Sequence, residues 1–168
     1  AGHAESCGPW SASLLLETTI SSRLNRVLEW LTAAAERENT YLWGGTIGPN
    51  LDCSGLVQTA FASAGIWLPR DAYQQEQFCQ SVAVQPDDVQ HLLAGDLIFF
   101  GTPERCTHVG IHLGEGRYMH SSGIEHGRNG IGIDSLNPQD LHPVARHYRG
   151  ELRGAGRVIR CHDGSTLP

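Results

Sequence analysis

The chain has 168 residues, of which 40% are hydrophobic and 18% are charged. This size and composition are typical of one globular domain and exclude a disordered, fibrous or repeat protein. Eighteen acidic residues against twelve Lys and Arg residues give a formal net charge of -6, which disfavours a nucleic-acid-binding surface. All twelve of those cations are arginine, so lysine Schiff-base chemistry and a P-loop lysine are excluded.

The hydropathy and the spacing of the cysteines exclude further classes of protein and of site. Segment 39–69 contains a single charged residue, but its glycines, amides and hydroxyls make it too polar to cross a membrane. The cysteines are odd in number, widely spaced and free of CxxC pairs, so neither a disulfide framework nor a structural zinc site is expected. They are Cys7, Cys53, Cys79, Cys106 and Cys161. At least one thiol is therefore free, which favours a reducing compartment.

The chain begins with a segment without sustained periodicity, residues 1–22, which we interpret as a linker, a terminal strand or the stub of an upstream domain. From Leu24, apolar residues recur at helical spacing with charged residues between them, which predicts an amphipathic helix that ends near Asn39. The globular domain is expected to span residues 23–162, and residues 163–168 form a C-terminal tail.

A glycine-rich segment, YLWGGTIGPNLD, follows this helix and is incompatible with a regular element. Asn50 or Asp52 can then cap a helix that spans Cys53–Ala64, with Gly65 at its C-terminal end. The first residue of that helix is thus a cysteine. A further short helix is predicted over residues 72–80, AYQQEQFCQ.

The pattern then changes to short β-type runs separated by Gly, Pro, Asn and Asp. The predicted strands are DLIFFG (96–101), HVGIHLG (108–114), RYMHSS (117–122), GIGIDS (130–135) and RVIR (157–160). Because the helices precede the strands, the predicted fold class is α+β with an antiparallel sheet rather than a doubly wound sheet.

Cys53 is the candidate nucleophile. A thiol in the first turn of a helix faces unpaired backbone N–H groups and the positive end of the helix dipole, which favour the thiolate. We therefore expect the pKa of Cys53 to be lowered. The alternative is that Cys53 is a small buried residue of the core, as free cysteines often are.

His108 and His120 flank the turn GEG, and the loop length decides whether they can cooperate. A three-residue loop, 114–116, pairs Leu113 with Arg117, so the numbers of paired residues sum to 230 and both histidines lie on one face of the hairpin. With Gly110 between them, the rings can form a hydrogen bond, so His108 can act as a base for the thiol and His120 can orient it. The alternative is that the histidines cover a solvated sheet face. A metal site is not expected, because His108 and His112 stand about 13 Å apart along a strand.

Six motifs occur in the order found in a known family. They are YLWGG, LDCSGLVQTAF, LPRDAYQQ, GDLIFFG, THVGIHLGEGRYMHSS and GIGID. In this combination the sequence resembles the NlpC/P60 cysteine peptidases, especially their cyanobacterial branch, over about residues 24–160. The resemblance implies a papain-like fold, in which the helix that begins with Cys53 packs on an antiparallel sheet carrying His108 and His120.

The resemblance also implies hydrolysis of the γ-D-glutamyl–meso-diaminopimelate bond of peptidoglycan-derived peptides, without metal or cofactor. Cys53 matches the nucleophile, His108 the base and His120 the third polar member of the triad. The expected partner is a murein peptide, and neither nucleic acid nor a membrane span is expected. Recycling of such peptides favours a cytoplasmic location, with the cell envelope or secretion as the alternative. Members of that branch carry an SH3-like domain, which residues 1–22 are too short to form.

Four further residues are candidate substrate contacts. By resemblance, Tyr41 points its hydroxyl into the site, with a core tyrosine as the alternative. Asp52 and Ser54 either cap the helix or contact substrate, the carboxylate binding an ammonium group and the hydroxyl a carboxylate. Arg70 suits bidentate capture of the free α-carboxylate of a γ-linked glutamate, with an ion pair to Asp71 as the alternative.

Other polar and aromatic residues are expected to be structural. Asp96 is expected to cap the turn that enters its strand. Four aromatic side chains are expected in the core rather than on the walls of a substrate site, namely Trp43, Trp67, Phe99 and Phe100.

Two rival functions remain open on the sequence. One is an amidase or acyltransferase that uses the same three groups on another acyl group. The other is a murein-binding module that keeps the fold without turnover. The presence of Cys53, His108 and His120 together favours an enzyme, because a pure binder has no need of all three.

Overall fold

The computed structural model describes residues 17–162. Most of the predicted N-terminal linker and the whole predicted C-terminal tail lie outside these residues. The helices are α1 (Glu17–Ala35), α2 (Cys53–Ser63), α3 (Ala72–Phe78) and α4 (Pro143–Gly150). The strands are β1 (Gln80–Val82), β2 (Leu97–Gly101), β3 (Cys106–Gly114), β4 (Arg117–Ser122), β5 (Gly130–Ser135) and β6 (Leu152–Arg157). They form one antiparallel sheet in the order β1-β6-β2-β3-β4-β5, which confirms the α+β class.

The three predicted helices are present, but their boundaries differ: α1 ends at Ala35 rather than near Asn39, and α3 ends at Phe78 rather than at residue 80. Helix α1 begins at Glu17 rather than near Leu24, so residues 17–22 are helical and not part of a linker. Ile20 explains the longer helix, because its side chain is buried in the core and stabilises this turn. Helix α2 ends one residue before its predicted end, and Gly65 follows it with a φ of 73°, as the C-terminal signal required.

The predicted strands β2 to β5 are present, whereas the predictions fail for β1 and β6, which lie at one edge of the sheet. Strands β4 and β5 have the predicted bounds, and β3 begins two residues early. The predicted strand 157–160 is wrong, because the chain pairs over Leu152–Arg157 instead, and β1 was not predicted at all. Glycine weakens strand propensity, yet Gly156 is required here, since a Cβ would come within 2.5 Å of Cys79 Cβ.

The β3–β4 hairpin has the predicted register but a different loop. Ile111 pairs with Met119, as predicted, whereas Gly114 rather than Leu113 pairs with Arg117. The connection is a two-residue turn, 115–116, with φ of 53° and 73°, preceded by a bulge. The extra residue of the bulge compensates for the shorter turn, so both histidines still share a face.

Helix α4 was not predicted, and it covers the second face of the sheet. One core lies between α1, α2, α3 and the sheet, and includes Val109, Ile111 and Met119. A second core lies under α4 and includes Phe100, Tyr118 and Tyr148. Phe99 and Phe100 are buried as predicted. None of the helices within residues 17–162 combines the length and the apolar character needed to cross a membrane.

Candidate active site

The start of helix α2 places the candidate nucleophile. Asp52 is the N-cap, and its carboxylate accepts the N–H of Gly55 at 2.7 Å and that of Gly44 at 2.9 Å. A Cβ at Gly55 would overlap the carbonyl oxygen of Gly45, so only glycine fits where the loop crosses the helix. The motif DCSG therefore joins a cap, a thiol and a close backbone contact in four residues.

The Cys53 side chain is nearly enclosed, with 6% of the residue exposed. Burial raises its pKa to about 11, with a further contribution from the charge of Asp52, whereas hydrogen bonds from the backbone N–H groups of Val109 and Ser54 lower it. The expectation of a lowered pKa is therefore wrong for the free protein. Desolvation of a thiolate outweighs the helix N-terminus and the N–H donors at this site.

The two histidines of the hairpin contact each other directly. His108 Nε2 lies 2.7 Å from His120 Nδ1, and the rings meet edge to face. A Cβ atom at Gly110 would lie 3.3 Å from the Cβ of His120 and 2.9 Å from a ring atom of Tyr118. The glycine therefore leaves space between the two histidines, as predicted. His108 immediately precedes Val109, whose N–H bonds the Cys53 thiol.

The histidine face is buried, not solvated. His108 is 7% exposed and His120 is 0% exposed, because Tyr148 of α4 stacks on His108 with ring centroids 4.2 Å apart. Burial lowers the pKa of His108 well below its ordinary value, and the neighbouring His120 adds to this effect. Burial also lowers the pKa of His120, although the hydrogen bond that His120 donates to Asp134 opposes this effect. Both imidazoles are thus neutral near neutral pH, and the interpretation of a wet sheet face is wrong.

Sequence reasoning missed the carboxylate beyond the histidines. Asp134 Oδ2 lies 2.7 Å from His120 Nε2, and Arg128 contacts both oxygens of Asp134 at 2.8 and 3.0 Å. The sequence of strand β5, GIGIDS, does contain a signal for this carboxylate. Asp134 is two residues from Gly132, the residue opposite His120, so both lie on the same face of the sheet. Parity alone could have placed Asp134 on the histidine face.

His112 lies on β3, as His108 does, but its side chain stabilises the β3–β4 turn. Its Nδ1 lies 2.9 Å from the carbonyl oxygen of Leu93, and its Nε2 accepts the N–H of Gly116 at 3.1 Å. Within residues 17–162, no group of three His, Cys, Asp or Glu side chains is arranged to hold a metal ion. The four cysteines in that range are free thiols.

A cleft of about 730 Å³ opens above Cys53. Besides Cys53, the cleft is lined by Tyr41, Trp43, Gly44, Asp52, Ser54, Arg70, Asp71, Ala72, Tyr73, Arg105, Cys106 and Thr107. Tyr41 thus lies at the cleft rather than in the core, and burial together with the nearby Cys53 and Asp52 raises its pKa. Trp43 is 86% exposed on the cleft wall and Trp67 is also exposed, so the prediction that both belong to the core is wrong.

Arg70 is bound to Asp52 and not to Asp71. Its guanidinium contacts the two oxygens of Asp52 at 2.7 and 3.1 Å and donates to Ser54 Oγ at 2.9 Å. Asp71 is the N-cap of α3, so the predicted local ion pair with Arg70 does not form. Arg105, which also lines the cleft, lies over the ring of Tyr73 with its Cζ 4.6 Å from the ring centroid.

Asp96 has the expected local role and an additional partner. Its carboxylate accepts the N–H of Leu93 at 2.8 Å, which fixes the turn before β2. It also forms an ion pair with Arg157 of β6, at 2.8 Å to each oxygen. This pair lies away from the residues that line the cleft above Cys53.

Comparison with known proteins agrees with this architecture. A model of the NlpC/P60 family matches residues 38–149. The gamma-D-glutamyl-L-lysine dipeptidyl-peptidase of Bacillus cereus is 36% identical over 111 residues, which are 64% of this chain and 32% of that protein. The murein DD-endopeptidase MepS/murein LD-carboxypeptidase of Escherichia coli is 35% identical over 98 residues, 58% of this chain and 47% of that protein. The chain therefore spans less than half the length of either relative.

Solved structures give the same result. The crystal structure of an NlpC/P60 family protein from Bacillus cereus aligns with a TM-score of 0.64 at 30% identity, covering 81% of this chain and 40% of that one. The peptidoglycan hydrolase RipB from Mycobacterium tuberculosis aligns with a TM-score of 0.63 at 25% identity, covering 91% and 73%. Fold and site thus define a papain-like α+β domain with a cysteine at a helix start and histidines on the sheet. The chain belongs to the NlpC/P60 family.

Proposed function

We propose that this domain is a cysteine peptidase that hydrolyses the γ-D-glutamyl–meso-diaminopimelate bond of peptidoglycan-derived peptides. The observation that carries the proposal is the 2.7 Å contact between His108 and His120, next to the N–H group that bonds the Cys53 thiol. Acyl transfer needs a nucleophile, a base and a group that orients the base, and this contact supports Cys53, His108 and His120 in these roles. The similarity to the Bacillus cereus γ-D-glutamyl-L-lysine dipeptidyl-peptidase supports a γ-glutamyl substrate.

The proposed reaction starts from a neutral thiol and a neutral imidazole. As substrate binds, His108 takes the thiol proton and the Cys53 sulfur attacks the γ-carbonyl carbon, forming a tetrahedral oxyanion near the N–H groups at the start of α2. The C–N bond then breaks, and His108 gives its proton to the departing amine of diaminopimelate. Water then attacks the thioester carbonyl as His108 takes a proton from it. The C–S bond breaks, the peptide leaves with a free γ-carboxyl group, and His108 returns the proton to the Cys53 sulfur.

The substrate contacts are proposed on the cleft wall beside Cys53. A γ-linked D-glutamate keeps its α-carboxylate free, and we assign that group to Ser54 Oγ and to Arg70, whose side chain is 29% exposed. Asp52 neutralises Arg70 and is the proposed partner of a substrate ammonium group. Tyr41 is proposed to contact the bound peptide with its hydroxyl.

Product analysis with defined peptides tests the proposal. The purified domain is incubated with L-Ala-γ-D-Glu-meso-diaminopimelate, its L-lysine counterpart, the α-linked isomer and an N-acylated amide, and products are identified by mass spectrometry. We expect cleavage after the γ-linked glutamate, at least tenfold faster than in the α-linked isomer. Cleavage of the amide alone would favour the amidase or acyltransferase. Binding without turnover of any peptide would favour the murein-binding module.

The cellular compartment stays a prediction. We propose a cytoplasmic role in recycling murein peptides, with the cell envelope or secretion as the alternative. Antibody detection in fractionated cells that express the natural reading frame distinguishes the two locations.

A further inference from the structure

The structure assigns a positioning role to Asp134: its carboxylate, held by Arg128, sets which nitrogen of His120 carries the proton and, through His120, which nitrogen of His108 is free to accept the thiol proton. This inference rests on the proposed function, because it concerns the base of that reaction. Asp134 and Arg128 thereby join Cys53, His108 and His120 as members of the site.

The hydrogen-bond pattern leaves one consistent arrangement of protons. An ionised carboxylate only accepts hydrogen bonds, so His120 must carry its proton on Nε2, 2.7 Å from Asp134 Oδ2. A neutral His120 then presents a lone pair on Nδ1, which lies 2.7 Å from His108 Nε2. His108 must therefore carry its proton on Nε2. Its Nδ1 is left unprotonated, which is the form a base requires.

The surroundings of Asp134 and His120 favour the charge states on which this arrangement of protons depends. Burial alone raises the pKa of Asp134, but hydrogen bonds from His120 and Arg128 outweigh it and leave the pKa below its ordinary value. Burial lowers the pKa of His120, and the hydrogen bond that it donates to Asp134 compensates only in part. An anionic carboxylate therefore faces a neutral imidazole near neutral pH.

Arg128 is built into the site as the partner of Asp134. It contacts Asp134 through Nε at 3.0 Å and through Nη2 at 2.8 Å, in the bidentate geometry that gives the strongest ion pairs. Gly132, opposite His120, lets the arginine lie across β5, because a Cβ there would overlap the guanidinium. Two further titratable groups lie near the carboxylate: His142, whose Nδ1 is 3.6 Å from Asp134 Oδ1, and the buried Tyr118, whose pKa is raised by burial and by the charge of Asp134.

Other groups near the histidines do not compete for this bond. His126 and His147 stack on each other and lie against Tyr148, and each contributes charge that disfavours protonation of His108. They approach the pair from α4 and from the 3₁₀ turn that precedes β5. Neither is within hydrogen-bonding distance of Asp134 in the described residues. The carboxylate is thus the group that decides the tautomer of His120.

Replacing the carboxylate by an amide removes this control. In Asp134→Asn the amide N–H₂ can donate to His120 Nε2, which moves the His120 proton to Nδ1 and forces the His108 proton onto its own Nδ1. The nitrogen that should accept the thiol proton is then occupied. The corresponding Asp→Asn change in the serine protease triad lowers kcat about 10⁴-fold by the same tautomer error. Here the carboxylate acts through one more ring, and we expect kcat to fall at least about 100-fold with KM nearly unchanged.

The experiment measures tautomers and kinetics on the same proteins. Ring-¹⁵N-labelled histidine reports which nitrogen of His108 and His120 is protonated, with the signals assigned by single His→Gln variants. Asp96→Asn is the matched control, because Asp96 is an equally buried carboxylate bound bidentately by an arginine, away from the cleft. We expect both Asn variants to lose urea resistance, and only Asp134→Asn to change the tautomers and kcat.

The outcomes separate this inference from the function on which it rests. Unchanged tautomers and kcat in folded Asp134→Asn overturn the positioning role. A wild type that cleaves no peptide overturns the proposed function, while a tautomer change in Asp134→Asn would still establish the positioning role. If Asp134→Asn does not fold, Arg128→Gln decides: we expect a loss of about tenfold in kcat with mixed His120 tautomers, and wild-type values for both contradict the inference.

Discussion

Arg70 and Asp52 form a bidentate ion pair at the start of helix α2, with oxygen–nitrogen distances of 2.7 and 3.1 Å. The same carboxylate caps the helix that begins with Cys53, so the pair joins the cleft wall to the nucleophile. Arg70 can therefore influence turnover in two ways, either by contact with the α-carboxylate of the substrate or by holding Asp52 in place.

Substitution of Arg70 distinguishes these two roles. We expect Arg70→Ala to lower kcat/KM for the γ-linked peptide and to narrow its advantage over the α-linked isomer, because the free carboxylate loses its cation. A lost contact of this kind costs about 1–3 kcal/mol, or roughly ten- to a hundredfold in kcat/KM. The measurement is kcat/KM for both isomers.

A second variant serves as the control for Arg70→Ala. Asp52→Asn keeps an N-cap residue and leaves Arg70 charged, so it weakens the ion pair without removing the guanidinium. If both variants lower the two kcat/KM values equally and leave their ratio at the wild-type value, Arg70 acts only through Asp52 and the specificity lies elsewhere.

Cys53→Ala should abolish turnover and leave the domain folded, because the change removes the sulfur and few packing contacts. Peptide binding, measured by calorimetry, should persist. Cys79→Ala is the matched control, since Cys79 is also a free thiol but lies at the end of α3, outside the cleft. Residual activity in Cys53→Ala equal to that of the wild type would refute the peptidase.

The histidines should differ in a graded way. His108→Ala removes the proposed base, whereas His120→Ala removes the group that orients it, so we expect the larger loss of kcat in His108→Ala. His112→Gln is the control, because His112 is buried in the same strand but bonds Leu93 and Gly116 of the turn. We expect His112→Gln to lower the urea midpoint of unfolding and to have little effect on kcat. A loss of kcat in His112→Gln as large as that in His108→Ala would argue against these roles.

The thiol of the free protein should be protonated near neutral pH. Burial raises the pKa of Cys53 to about 11, so the ultraviolet absorbance of a thiolate, taken as wild type minus Cys53→Ala, should be absent near neutral pH and grow only in strongly alkaline solution. A full thiolate signal at neutral pH would instead demonstrate a resting ion pair with His108.

Stability should fall in mildly acidic solution. Burial lowers the pKa values of His108 and His120 in the folded state below the unfolded value of about 6.5, so the unfolded chain binds more protons as the pH falls. Their contribution is complete above about pH 6.5 and is lost as the pH drops towards the folded pKa values, by up to about 1.4 kcal/mol per pH unit for each histidine. Urea unfolding of the wild type and of His108→Gln/His120→Gln tests this, and equal pH slopes for the two would contradict it.

The parts of this protein that depend on local pattern could be predicted from the sequence. The spacing of apolar residues and the cap at Asp52 are contained in neighbouring residues, which is why helix α2 and its first residue, Cys53, were correctly placed. The alternation along the β3–β4 hairpin likewise put His108 and His120 on one face, and the structure brings them to 2.7 Å. A bulge replaced the predicted loop without changing that result, because the faces depend only on the register.

What only the tertiary structure decided involves contacts between segments far apart in the chain. Helix α4 covers the histidines, and Arg70 pairs with Asp52 rather than with the adjacent Asp71; neither contact leaves a periodic signal in the sequence. The parity of β5 places Asp134 on the histidine face, but only the assembled sheet brings its carboxylate to 2.7 Å from His120. The pKa of Cys53 shows the same limit. A helix start predicts a thiolate, but burial by distant segments removes the water that would solvate it, and desolvation is a property of the assembled fold rather than of any local sequence.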